Sequence, residues 1–182
     1  RTLQAALAWV EHRREECEQL LGELAEVAPE DSRPEREVGR LLLELYRFRE
    51  ALPFLERAAE RDGTDHRAWT HLAHAFANTG DEDRARVAFQ KAELAARGRR
   101  DAWRENMTMV LGRMEREHVV ETFGDLSFSW MPDAADVLRA YLPSFYEEAR
   151  VELAERYGFT PEPTRILVFR RQGKAGQIDD RR

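Results

Sequence analysis

Trp69-x2-Leu72-Ala73-x2-Phe76 followed by Ala85-x3-Phe89-x2-Ala92 has the spacing of a two-helix unit that returns every 34 residues. A chain with such a period is expected to fold as stacked copies of one unit. Trp69 recurs as Trp103, and Ala85, Phe89 and Ala92 are preceded one period earlier by Ala51, Leu55 and Ala58. Cys17, Leu21 and Leu24 lie one period earlier still. Small residues at Ala73, Ala85 and Ala92 let paired helices approach closely, while Trp69, Leu72, Phe76 and Phe89 fill the space between them and the next unit. Asn78-Thr79-Gly80-Asp81 supplies the turn. The preceding copy, 32–65, keeps Gly39, Leu42, Ala51, Leu55 and Ala58 but has Glu35 where 66–99 has Trp69. Residues 1–31 read as a divergent or capping unit whose Leu-x2-Leu run closes a helix before Pro29, and 100–116 as a half repeat. The fold class is therefore mainly α: an α-solenoid of antiparallel helix pairs, followed by a small α+β segment.

This spacing resembles the tetratricopeptide repeat, with residues 66–97 matching its Trp-x2-Leu-Gly-x2-Tyr and Ala-x3-Phe signature most fully. The resemblance implies that the first helix of each pair lines a concave groove. Mapped onto this chain, the groove positions are Arg33, Arg36 and Arg40, then Arg67, Thr70, His71 and His74, then Arg104. The set is basic and resembles in charge the carboxylate clamp of chaperone-binding repeats, which implies a protein or acidic peptide partner held by charge-assisted hydrogen bonds. The clamp's Asn and Lys are absent, and Asp101 and Glu105 lie near Arg104. The alternative is that each arginine pairs with a neighbouring carboxylate across a solvated helix face.

Composition narrows the function classes. The 182 residues are 42% hydrophobic and 35% charged, with no apolar run near membrane-spanning length. Net charge is −6 with both signs interspersed, which argues against a nucleic-acid partner. The single cysteine, Cys17, falls on an apolar register position and reads as a packing residue. Basic residues are nearly all arginine, with Lys91 and Lys174 the exceptions, which hints at a bacterial source. The chain starts at Arg1, not Met, so targeting is left open and a processed or partial product is an expectation.

After Trp103 the period changes. Met107, Val110 and Met114 continue an apolar helical stripe, but no Ala-x3-Phe helix follows. Leu126, Phe128 and Trp130 alternate after a Gly124-Asp125 turn signal, predicting a strand pair near 118–131. Pro132-Asp133 opens an amphipathic helix carrying Val137, Leu138, Tyr141, Leu142, Phe145, Tyr146, Ala149 and Leu153, which Pro143 should kink or divide and Gly158 should close. Thr160–Pro163 reads as a turn, and Ile166-Leu167-Val168-Phe169 as a strand buried on both faces. The tail, 171–182, is polar, and its Gly-x2-Gly lacks the Lys-Ser/Thr ending of a phosphate loop.

The helix beginning Trp103-x2-Asn106, the strand pair, the Arg156-Tyr157-Gly158-Phe159 helix end and the strand from Thr164 together resemble the start of a peptidase MA-like (gluzincin) domain, over roughly 103–169. In that family zinc is held by a His-Glu-x-x-His helix whose Glu acts as base. This chain has no such motif, so the resemblance assigns it no catalytic residue and no metal ligand; zinc would belong to a longer parent protein. His71 and His74, three apart, lack the further ligands and carboxylate base of a catalytic zinc site, and His12 and His118 stand alone. Two function classes follow: an interaction scaffold whose groove docks a partner without catalysis, or the non-catalytic front of a zinc metallopeptidase. An unfinished repeat array also leaves an apolar end, so the chain is expected to be a subunit of a larger assembly.

Overall fold

The structure, a computed structural model, describes residues 1–158 and 164–168. Its described elements are α1 (Thr2–Val10), α2 (Arg14–Val27), α3 (Arg33–Glu44), α4 (Phe48–Arg61), α5 (His66–Asn78), α6 (Glu82–Ala96), α7 (Ala102–Glu117), β1 (Val119–Phe123), β2 (Leu126–Trp130), α8 (Pro132–Leu138), α9 (Leu142–Tyr157) and β3 (Thr164–Val168). They divide into two compact units, Arg1–Leu111 and Gly112–Arg182, with the boundary inside α7.

In the first unit, antiparallel helix pairs bury a seam of small and branched residues: Ala5, Ala8, Cys17, Val38, Leu42, Ala51, Leu55, Ala58, Ala73, Phe76, Ala85, Phe89 and Ala92. The 34-residue period is written into the backbone as well as the side chains. His12, Tyr46 and Gly80, one period apart, are all left-handed, with φ of 63°, 59° and 83°. The next amide in each case reaches back over the turn: Arg13 N donates to Ala8 O at 2.8 Å, Arg47 N to Leu42 O at 2.9 Å and Asp81 N to Phe76 O at 3.0 Å. This closure satisfies carbonyls that a helix end would otherwise leave open. Only the third copy uses glycine there.

Each copy fills its own space differently. Glu35, at the position of Trp69, is 3% exposed, and its carboxylate accepts from Arg61 Nη2 at 2.6 Å. A buried ion pair thus stands where the next copy has a ring. Gly39, at the position of Ala73, leaves room for Leu55, whose Cγ would lie 2.5 Å from any added Cβ. The half-buried Trp69 donates its indole N–H to Gly63 O and lies under Lys91.

In the second unit, β1 and β2 form an antiparallel hairpin, in register from Val119↔Trp130 to Phe123↔Leu126. Gly124, with φ of 58°, supplies the turn. β3 pairs parallel to β2, Leu126↔Thr164 to Trp130↔Val168, giving the order β1-β2-β3. Leu126, Phe128 and Trp130 point to one face and form a core with Ala135, Leu138, Leu142, Ile166 and Val168.

Two expectations need correction here. β3 is an edge strand among the described residues, and Leu167 is 42% exposed, so it is not buried on both faces: its other side has no described strand, and one sheet face carries Ser127, Ser129 and Arg165 in its register. The stripe over 132–158 does break before Pro143, into α8 and α9, but it is not a buried face. Leu138 and Leu142 reach the core, while Val137, Tyr141, Phe145 and Leu153 are exposed and α9 has no fully buried residue. The expected turn at 160–163, Phe169 and the polar tail lie outside the described residues.

Candidate functional site

The predicted groove residues do not form one basic strip. Arg33 is exposed and grips Asp31 through two hydrogen bonds of 2.7 and 2.8 Å. Arg36, half-buried on α3, donates to Asp65 at 2.6 Å and to Glu37 at 3.1 Å. Arg40 donates to Glu37 at 2.8 Å and also pairs with Glu44 one turn further on. Exposed Arg67 has no carboxylate partner among the described residues, which sets it apart from its neighbours.

Two of the expected groove residues are interior. Thr70 is buried, its hydroxyl donating to His66 O at 2.7 Å within α5. Arg104 is 1% exposed, its Nε donating to Glu93 at 2.9 Å and its Nη2 to Arg99 O at 2.6 Å. Nη1 has no partner. Of the nearby carboxylates, Glu93 takes the Arg104 guanidinium, whereas the Asp101 carboxylate accepts from the Arg104 backbone N–H and Glu105 pairs with Arg100.

Asp65 organises the network. It caps α5 by accepting from Arg67 N and Ala68 N, and its other oxygen takes the Ser32 hydroxyl at 2.7 Å and Arg36. Burial pushes the Asp65 carboxyl up, but Ser32 and Arg36 outweigh it and hold it below the usual carboxylate range. Glu37 follows the same balance: burial raises it, and hydrogen bonds from Arg40 and Arg36 bring it down.

His71 and His74 are brought together with Arg36 and Arg40, and the consequence is opposite to a basic groove. Burial, reinforced by the Arg36 charge, pulls His71 down to about 4. Burial also lowers His74. At neutral pH both imidazoles are uncharged. They form one wall of a cleft of about 460 Å³, with Asn78 beside them on α5, Arg40, Leu43 and Glu44 opposite on α3, and Tyr46 and Phe48 at its end.

Sequence reasoning missed the aromatic part of this cleft. Tyr46 is 81% exposed and meets Phe48 edge-on at 5.9 Å; Phe48 lies 5.9 Å from the His74 ring, and His74 lies 4.5 Å from Trp103. The signal was present in the period. Tyr46 sits one period before Gly80, so it occupies a left-handed turn from which its side chain projects.

Residues 42–105 match the tetratricopeptide repeat family. The matched stretch runs from within α3 to the start of α7. Among solved structures, the chain is similar to the TPR2B domain of yeast Sti1 in its pHsp70 complex, at 19% identity and a TM-score of 0.47, covering 61% of this chain and 92% of that one. It is also similar to YrrB, a TPR protein with an unusual peptide-binding site, at 24% identity and 0.45, covering 52% and 48%. A type III secretion complex from Aeromonas hydrophila aligns at 18% and 0.48, covering 63% and 79%. No curated protein matches the sequence. The described residues contain no group of three or more His, Cys, Asp or Glu placed to hold a metal ion, and no helix among them is long and apolar enough to cross a membrane.

Proposed function

We propose that the repeat array is a docking module: its α3–α5 cleft receives a segment of a partner protein, without catalysis in this chain. The observation that carries this reading is the cleft itself, of about 460 Å³, walled by half-buried rings and polar groups on the first helices of two successive repeats. Its size is that of a site for a few side chains. The acidic segment expected from the sequence would have to draw on Arg67, outside the cleft lining, and on Arg40 exchanging one of its carboxylates for the ligand's.

The test is a photo-crosslinking residue placed in turn at Tyr46, on the cleft, and at Leu94, which is equally exposed on α6. Segments enriched from a random peptide display against the full chain should crosslink from position 46 and not from 94. Crosslinking from 94 alone, or no enrichment, overturns the proposal.

A second reading, that this chain is the front of a gluzincin-like zinc peptidase, is supported by the order hairpin, helices, parallel strand over β1–β3. The described residues do not fit a zinc site, so no catalytic step is assigned to them. Zinc analysis of the natural protein tests it: about one zinc per chain supports it, and none rejects it.

A further inference from the structure

We propose that the occupant of the α3–α5 cleft is a segment that inserts an uncharged aromatic or branched aliphatic side chain against Phe48 and His74, and is selected by that anchor and not by its charge. This rests on the docking reading above and names the partner's chemistry.

Charge is the first argument. Two guanidiniums, Arg36 and Arg40, face three carboxylates, Glu37, Glu44 and Asp65, and every one of the five is already paired. An acidic ligand entering here meets no spare cation on the lining, since Arg67 is not among the residues that wall the cleft. To engage it, Arg40 must release Glu37, whose carboxylate is partly buried and shared with Arg36. Leaving a partly buried carboxylate short of its partner costs more than an exposed new pair returns. The imidazoles add no positive charge, since burial keeps both deprotonated at neutral pH.

Surface chemistry is the second argument. The row Tyr46, Phe48, His74, Trp103 runs with ring centroids 4.5 to 5.9 Å apart, and its outer members, Tyr46 and Trp103, are 81% and 38% exposed. Rings at these separations present edges and faces to an added ring or methyl group, which gains area burial and favourable quadrupole geometry together. Tyr46 holds its exposed position at the expense of a left-handed backbone that a non-glycine residue adopts reluctantly. Polar orientation is also provided. Asn78 donates its amide to His74 O at 2.9 Å, and its carboxamide oxygen has no donor among the described residues, leaving it to accept a ligand backbone N–H.

The test titrates the isotopically labelled full chain with two capped peptides, acetyl-Gly-Phe-Gly-amide and acetyl-Asp-Glu-Asp-amide, at about 50 and about 500 mM NaCl, conditions between which the screening length falls roughly threefold. The expected result is that the Phe peptide moves the His74 ring and Trp103 indole signals, with dissociation constants within about twofold at the two salt levels, and that Tyr46→Ser and Phe48→Ser, each checked for native circular dichroism, weaken it tenfold or more. Preferential binding of the acidic peptide, weakened tenfold by salt, overturns the anchor while leaving the docking reading intact. If neither peptide moves these signals, the anchor also falls, and the display selection described above decides separately whether the array docks anything.

Discussion

α4 and α9 are helices of similar length, 14 and 16 residues, and each carries a run of apolar side chains. In α4, Ala51, Phe54, Leu55, Ala58 and Ala59 are all buried; in α9 no residue is. The difference lies in the neighbours and not in the helices. α4 lies between α3 and α5, so its faces are covered from two sides, whereas α9 meets the sheet of its own unit through Leu142 and through Tyr146, whose ring lies 5.9 Å from Phe128. A repeat supplies each helix with partners by construction. A single-layer α/β unit covers one face and leaves the rest to whatever else is present.

The largest expected effect tests that contrast directly. Phe54→Ala should cost about 3–5 kcal/mol in urea unfolding, because it opens a cavity in a fully buried seam. Phe145→Ala, on a residue 60% exposed, should cost about 0.5 kcal/mol or less. Equal costs would mean that α9 is covered in the natural protein and would break the comparison.

Next comes the polar network. Asp65→Ala removes a helix cap and the partner of the half-buried Arg36 at once, and should cost about 2–4 kcal/mol. Asp81→Ala removes a cap from Arg84 N whose loss leaves no buried charge, and should cost about 1 kcal/mol. Indistinguishable melting points for the two variants would show that the Arg36–Asp65 pair adds nothing.

Acidification sharpens the picture at His71. Its folded value, about 4, lies below the ordinary imidazole value of 6.5, so the unfolded chain takes up the proton first. The stabilisation is present above 6.5 and lost as pH falls from there toward 4, by about 1–2 kcal/mol at pH 5. His74 works in the same direction. His71→Gln should flatten this part of the stability–pH curve; an unchanged slope would show that His71 is not responsible for it.

The smallest effects concern two glycines. Gly39→Ala should destabilise by about 1–2 kcal/mol despite its better helix propensity, because the new methyl meets the buried Leu55 at 2.5 Å. Gly22→Ala on α2 meets nothing within 4 Å and should stabilise by about 0.5–1 kcal/mol. Thermal melts of the two should move in opposite directions.

The repeat architecture was legible because its information is local and periodic: Ala51, Ala85 and Ala92 announce close helix pairs. The hairpin was legible for the same reason, from strict alternation across a Gly-Asp turn. The groove was much less so. Register put Arg36 and Arg40 one turn apart on one helix, but their electrostatic meaning depends on Asp65, 29 residues from Arg36, and on which side chain reaches which. Arg104 illustrates the same limit: its position on the helix was readable, its burial against Glu93 was not. β3 failed in a different way. Ile166-Leu167-Val168 has the composition of a central strand, and composition does not say whether a neighbour arrives on both sides.

Among α1–α6, only α5 and α6 begin with a side-chain cap, Asp65 and Asp81, and the two are joined by the one turn that places glycine at its left-handed position. This pair therefore needs least from its surroundings in order to form, and its contacts are short in sequence. The capped pair is the expected birthplace of the fold, from which order spreads along the array one helix at a time. Kinetically, substitutions at Asp65 and Asp81 should slow refolding, whereas substitutions in α1 and α2 should chiefly hasten unfolding. The same pair would be the last part of the array to exchange its amide protons.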